Sequence, residues 1–156
     1  METPAIRILK AKGIPFEVRT IEAVVGDAKE AAELMGIPLD QIYKTLAVRL
    51  EPGKPEPYAL FLVPGDKELS EKKAAQAAGV KRVELLPLAD LTRVTGYVRG
   101  GVSPLGTRRP LPVYIHEGAL QKEWISISAG RRGVQLWLNP RDLQKATGAQ
   151  FVDVAR

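Results

Sequence analysis

At 156 residues and with no cysteine, the chain suits one compact domain and excludes disulfides, thiolate metal sites and a cysteine nucleophile. Its net charge of +5 and isoelectric point near 9.6 are a mild basic excess, compatible with a polyanionic partner such as RNA. The opening METPAIRILKAKG breaks its apolar residues with charge, and no apolar run reaches the roughly 18 residues of a membrane span, so a cytoplasmic protein is expected.

Thr3-Pro4 reads as a cap followed by proline in the first helical turn, and Gly13 as a stop, which predicts a helix over 4–12. PFEVRT then alternates as a strand. GDAKEAAELMG is a second helix, capped by Asp27 and ended at Gly36. A short turn leads into a buried strand around Thr45–Leu50, and the proline-rich PGKPEP connects it to a partner strand, YALFLVPG. LSEKKAAQAAGV is a helix capped by Ser70 and stopped at Gly79, and ADLTRVTG a shorter helical segment ending at Gly96. After the glycine-rich run GGVSPLGTRRP, strands are expected in LPVYIHE, WISISA and VQLWLN, the last two joined by GRRG. Asn139-Pro140 opens a helix that stops at Gly148, and AQFVDVA closes as a strand. Without regular βαβ alternation, the pattern implies one α/β (mixed α+β) domain over 1–156, a mixed, largely antiparallel sheet with helices packed around it.

The inventory of reactive side chains is short. His116 is the only histidine, and at the end of a strand its plainest reading is a surface or edge residue. One histidine and no cysteine make zinc hydrolysis a poor fit. GGVSPLG is neither a phosphate-binding P-loop nor a dinucleotide fingerprint, and Pro104 after Ser103 rules out a nucleophile elbow. What remains is backbone plus lysine. Gly100, Gly101 and Gly106 allow close approach of main-chain N–H groups to a carbonyl oxygen or phosphate; an elaborate turn is the alternative. Lys44 enters an apolar strand in QIYKTLAV, where it can offset negative charge or simply begin the strand. The arginine pairs Arg108-Arg109 and Arg131-Arg132 sit beside glycines, as phosphate contacts or as solvated turns.

TPAIRILKAKGIPF, DQIYKTLAV, TGYVRGGVSPLG and ISAGRRGVQLWL occur in the order seen in the bacterial YbaK family. That family comprises free-standing relatives of the editing domain of bacterial prolyl-tRNA synthetase. The resemblance implies a hydrolase of mischarged aminoacyl-tRNA, with Cys-tRNA(Pro) the leading substrate and Ala-tRNA(Pro) next. Carried over by position, Lys44 resembles the essential lysine, with Gly101 assisting it. Thr45, Gly100, Ser103, Pro104, Gly106, Ser128 and Gly130 resemble the pocket, and Arg108, Arg109, Arg131 and Arg132 would meet tRNA phosphates. No metal or other cofactor is implied, and neither a membrane nor DNA is expected as partner; a complex with prolyl-tRNA synthetase is left open. Two places depart from the family pattern: Ile21-Glu22-Ala23 stands for a Tyr-Glu-His stretch, and Gln135 for an acidic residue. Both touch the pocket wall. The alternatives are a non-catalytic binder of the tRNA end or a nucleotide, and a structural partner of a synthetase.

Overall fold

The computed structural model describes residues 2–21 and 27–156. Helices start and stop where the capping residues say. Thr3 accepts from the Ile6 amide at 3.2 Å to open α1 (Pro4–Lys12), and Asp27 accepts from Glu30 at 2.8 Å to open α2 (Ala28–Met35). Ser70 does the same for α3 (Glu71–Ala78). Pro87 precedes α4 (Leu88–Thr95) without a side-chain cap, and Asn139 caps α5 (Pro140–Thr147). Each such cap satisfies an otherwise orphaned amide, worth about 1 kcal/mol.

The strands are β1 (Glu17–Thr20), β2 (Tyr43–Glu51), β3 (Tyr58–Pro64), β4 (Arg82–Leu85), β5 (Val113–His116), β6 (Ile125–Arg131), β7 (Val134–Leu138) and β8 (Gln150–Val152). They divide between two sheets, ordered β4-β2-β3-β5-β8 and β1-β7-β6. Most pairings are antiparallel, as expected, but β3–β5 and β5–β8 are parallel. Parallel neighbours need a long crossover, which α3, β4 and α4 supply between β3 and β5. Every residue of β3 is buried, as suits the centre of a covered sheet.

Side-chain alternation along β2 feeds two cores. Tyr43 and Ala47 join Leu60, Leu62, Ile127 and Leu136 in one; Val48 and Leu50 join Phe61, Val63 and Ala74 in the other. A small third cluster joins Ala31 and Ala32 of α2 to Ile42. Ile42 also bridges to Ser126, so the two sheets touch at the start of β2.

His116 corrects the expectation of a surface or edge histidine. It is buried, because β8 pairs outside β5 and covers it. Its Nδ1 accepts a hydrogen bond from the Val154 amide at 3.2 Å.

Candidate active site

A cavity of about 400 Å³ opens where the two sheets meet, within the range of small-molecule sites. Its wall brings together Ile21, Lys44, Thr45, Gly100, Ser128 and Gln135, six of the residues singled out in the sequence. They come from the end of β1, the start of β2, the glycine-rich run and the β6–β7 pair. Ser128 and Gln135 face each other across that pair. Glu22 and Ala23 lie outside the described residues.

Lys44 and Thr45 are consecutive on β2, so their side chains leave opposite faces of the strand. The half-buried Lys44 donates from Nζ to the Lys67 carbonyl at 2.7 Å. Burial pushes its pKa below the ordinary lysine value, and the carboxylates of Glu68 and Asp66 pull part of the way back. The Thr45 hydroxyl is buried and has no hydrogen-bond partner among the described residues. An unpartnered buried hydroxyl costs about 1–3 kcal/mol unless a ligand or water satisfies it. Tyr43, also in the wall, has its hydroxyl pKa raised well above the ordinary value, by burial first and then by Asp40 and Asp66. It therefore stays protonated at neutral pH.

Among the other wall residues, Asp27, Arg99 and Gly133 are not expected at the site from the sequence. Asp27 is occupied as the cap of α2, and the Gly133 carbonyl accepts from the Ile21 amide at 2.7 Å. Arg99 adds a second cation to the wall beside Lys44. Its position one residue before the glycine run is the signal that could have found it.

The rest of the glycine-rich run lies behind the wall. Gly101 is buried, and a β-carbon there would stand 3.1 Å from the Arg132 amide nitrogen. Ser103 is fully buried, its Oγ accepting from the Leu105 amide at 3.2 Å, and Pro104 is buried beside it. Gly106 (φ +73°) and Gly130 (φ +97°) hold Tyr97 between them; β-carbons would come within 2.9 Å of its hydroxyl and 2.6 Å of its ring. The Tyr97 hydroxyl donates to the Leu105 carbonyl at 2.6 Å. These residues shape the cavity without lining it.

The four arginines separate into two places. Arg131 and Arg132 are exposed on the β6–β7 turn, and Arg132 Nε donates to the Arg99 carbonyl at 2.6 Å, beside Gly100. Arg108 is exposed next to Gly96, at the end of α4. Arg109 lies 3.4 Å from Glu56 and 4.8 Å above the Tyr58 ring, so its charge is already engaged.

The sequence over residues 22–146 matches the aminoacyl-tRNA editing domain family. The chain belongs to that family. This editing domain is thus one of the deacylases of mischarged aminoacyl-tRNA, as the YbaK resemblance anticipated. It is 41% identical over 156 aligned residues to an Enterococcus faecalis protein named as a candidate Cys-tRNA(Pro)/Cys-tRNA(Cys) deacylase, EbsC, with 98% of this chain and 93% of that one covered. A proline–tRNA ligase of Burkholderia thailandensis is 31% identical over 112 residues, which are 70% of this chain and 19% of the ligase. Among solved structures, one described as a candidate trans-editing enzyme for prolyl-tRNA synthetase superimposes with a TM-score of 0.86 at 29% identity, covering 100% of this chain and 99% of that one. No helix among the described residues is long and apolar enough to cross a membrane.

Proposed function

We propose that this editing domain works in the cytoplasm and hydrolyses Cys-tRNA(Pro) in preference to other mischarged tRNAs, with the aminoacyl ester seated in the cavity between the sheets. The observation that carries the reading is the half-buried Lys44 in the wall of a cavity that the glycine-rich run and the β6–β7 pair also line. The only histidine is held elsewhere, by the Val154 amide, and does not line the cavity. Catalysis therefore rests on charge and positioning rather than on a histidine base.

An aminoacyl ester is already activated. Attack on its carbonyl carbon places negative charge on the carbonyl oxygen, and the Lys44 ammonium offsets that charge. Thr45 hydrogen-bonds the bound amino acid or ribose. Gly100 and Val102 lie in the same wall, and their amides donate to no main-chain acceptor among the described residues, which leaves them free for the ester or the terminal adenosine. With a cysteinyl ester, the substrate thiol attacks, its proton passes to the departing 3′ oxygen, and free tRNA and a cyclic thioester leave. With alanine, a water takes the thiol's place and yields the free amino acid. Ile21 and Gln135 are uncharged, so neither holds an ammonium group by ion pairing. Cysteine depends least on such a wall. Arg131 and Arg132, next to the cavity, meet tRNA phosphates. Selection of tRNA(Pro) comes from prolyl-tRNA synthetase as a partner, a point that co-elution of the two proteins tests.

The test is deacylation of Cys-, Ala-, Ser- and Pro-tRNA(Pro) by purified protein and by Lys44→Ala. Removal of one charge that stabilises the transition state predicts a fall of about 100-fold in Lys44→Ala with the fold intact. Near-normal turnover by the folded variant overturns the mechanism. A rate ratio of Cys- over Ala-tRNA(Pro) below one overturns the substrate preference.

A further inference from the structure

We infer that the C-terminal segment after β8, residues 153–156, is a strap that positions Lys44 for catalysis, with His116 as its anchor. This rests on the reading of Lys44 as the group that stabilises the ester oxygen.

The contacts form an unbroken chain. Lys44 Nζ is held by the main-chain carbonyl of Lys67, in the turn that follows β3. That turn is tied to the start of β2 at one end, where the Gly65 amide donates to the Ile42 carbonyl at 2.8 Å. At its other end the strap ties it. Glu68, next to Lys67, exchanges two main-chain hydrogen bonds with Arg156, at 3.1 and 2.9 Å. The Ser70 amide donates to the Val154 carbonyl at 2.8 Å, and Leu69 bridges to Ala155. Side chains reinforce the same seam: Arg156 lies 2.7 Å from the Glu68 carboxylate, and Lys73 reaches Asp153 at 2.9 Å and the Ala155 carbonyl at 3.0 Å.

What fixes the strap to the body of the fold is His116. Its Nδ1 takes the Val154 amide, the residue whose carbonyl holds Ser70. Val154 is fully buried, so its amide must find an acceptor inside the protein. A buried imidazole on β5 is thereby connected to the catalytic ammonium on β2 through a series of main-chain hydrogen bonds. A misplacement of about 1 Å at a reacting group can cost up to about 100-fold in rate, so slack in this chain is felt in kcat. Neither His116 nor Arg156 lines the cavity, so both are positioning residues.

The experiment compares His116→Leu, His116→Asn and a chain ending at Ala155, assayed with Cys-tRNA(Pro) below the onset of unfolding of every variant. Asn places an acceptor oxygen where Nδ1 stands; Leu fills the space without one. The strap predicts a fall of about tenfold in kcat for His116→Leu with KM within about twofold, and recovery to within about threefold of the parent kcat in His116→Asn. The shortened chain, which lacks the Arg156–Glu68 pair, should show the same kcat loss even if His116→Leu does not fold. Full kcat in the shortened chain or in a folded His116→Leu overturns the strap, as does failure of Asn to restore what Leu removes. Lys44→Ala in the same assay separates the two readings. If Lys44→Ala is inactive and the strap variants are normal, only the strap falls; if Lys44→Ala is fully active, the role of Lys44 falls first.

Discussion

The two halves of the glycine-rich run adjoin in sequence and are opposite in use. Residues 99, 100 and 102 stand in the cavity wall, whereas 103–106 are packed behind it against Tyr97 and the start of α1. A run of glycines beside a pocket is thus not uniformly a ligand-gripping loop. Part of it exists so that an aromatic side chain can sit close to the backbone and hold the rest in place.

The hardest way to break this contrast is Gly106→Val. The new β-carbon would meet the Pro4 β-carbon at 2.8 Å and the Tyr97 hydroxyl at 2.9 Å, at a φ of +73° that a β-branched residue does not accept. Strain and overpacking together should cost about 3 kcal/mol or more in denaturant unfolding. Unchanged stability would show that the rear half is as open as the front. At the wall, Thr45→Val is the converse change. It removes a buried hydroxyl that has no partner among the described residues, so stability should hold or rise while deacylation falls about tenfold. Equal losses of stability and activity would place Thr45 among the scaffold residues.

The arginine pairs sharpen the comparison with a smaller effect. Removing Arg131 and Arg132 should reduce the salt slope of tRNA binding by about one for each phosphate that is no longer neutralised. Removing Arg109, already engaged by Glu56 and Tyr58, should leave the slope unchanged. Equal slopes for the two sets would mean that RNA approaches from both sides. The smallest effect concerns His116. Burial lowers its pKa below the ordinary 6.5, with Lys67 and Lys73 acting in the same direction and Asp153 and Glu117 against it. In the unfolded chain the imidazole takes a proton more readily than in the folded one. Its contribution to stability is therefore complete above about pH 6.5 and is lost as pH falls through the lower folded value. Thermal unfolding followed from pH 7.5 downward should show this decline, and His116→Asn should flatten it. An identical decline in both proteins would exclude the histidine as its source.

Much of this was legible in the residues. Thr3, Asp27, Ser70 and Asn139 open helices because each short polar side chain answers an orphan amide, and that chemistry is local. Lys44 stood out as an isolated cation in an apolar strand. The edge strand β4 did not: RVEL alternates polar with apolar, but over four residues only, and Leu85 is exposed, so a single buried residue, Val83, ties it to the core. The division into two sheets and the burial of His116 were also invisible, because both follow from which strands pair across long connections. The cavity wall mixes both cases. Gln135 departs from an apolar neighbourhood on β7, but whether it faces a pocket depends on β1 and β6 beside it.

The acceptor that holds Lys44 is a main-chain carbonyl, and every amino acid placed at position 67 supplies one. Alanine scanning would pass over Lys67 as dispensable, and its side chain is free to vary without loosening the ammonium. A thioamide or ester placed in the backbone at that carbonyl by chemical synthesis, by contrast, should weaken the grip on Lys44 while every side chain stays the same. The hold on the Lys44 ammonium is therefore written in the chain path rather than in the alphabet of side chains.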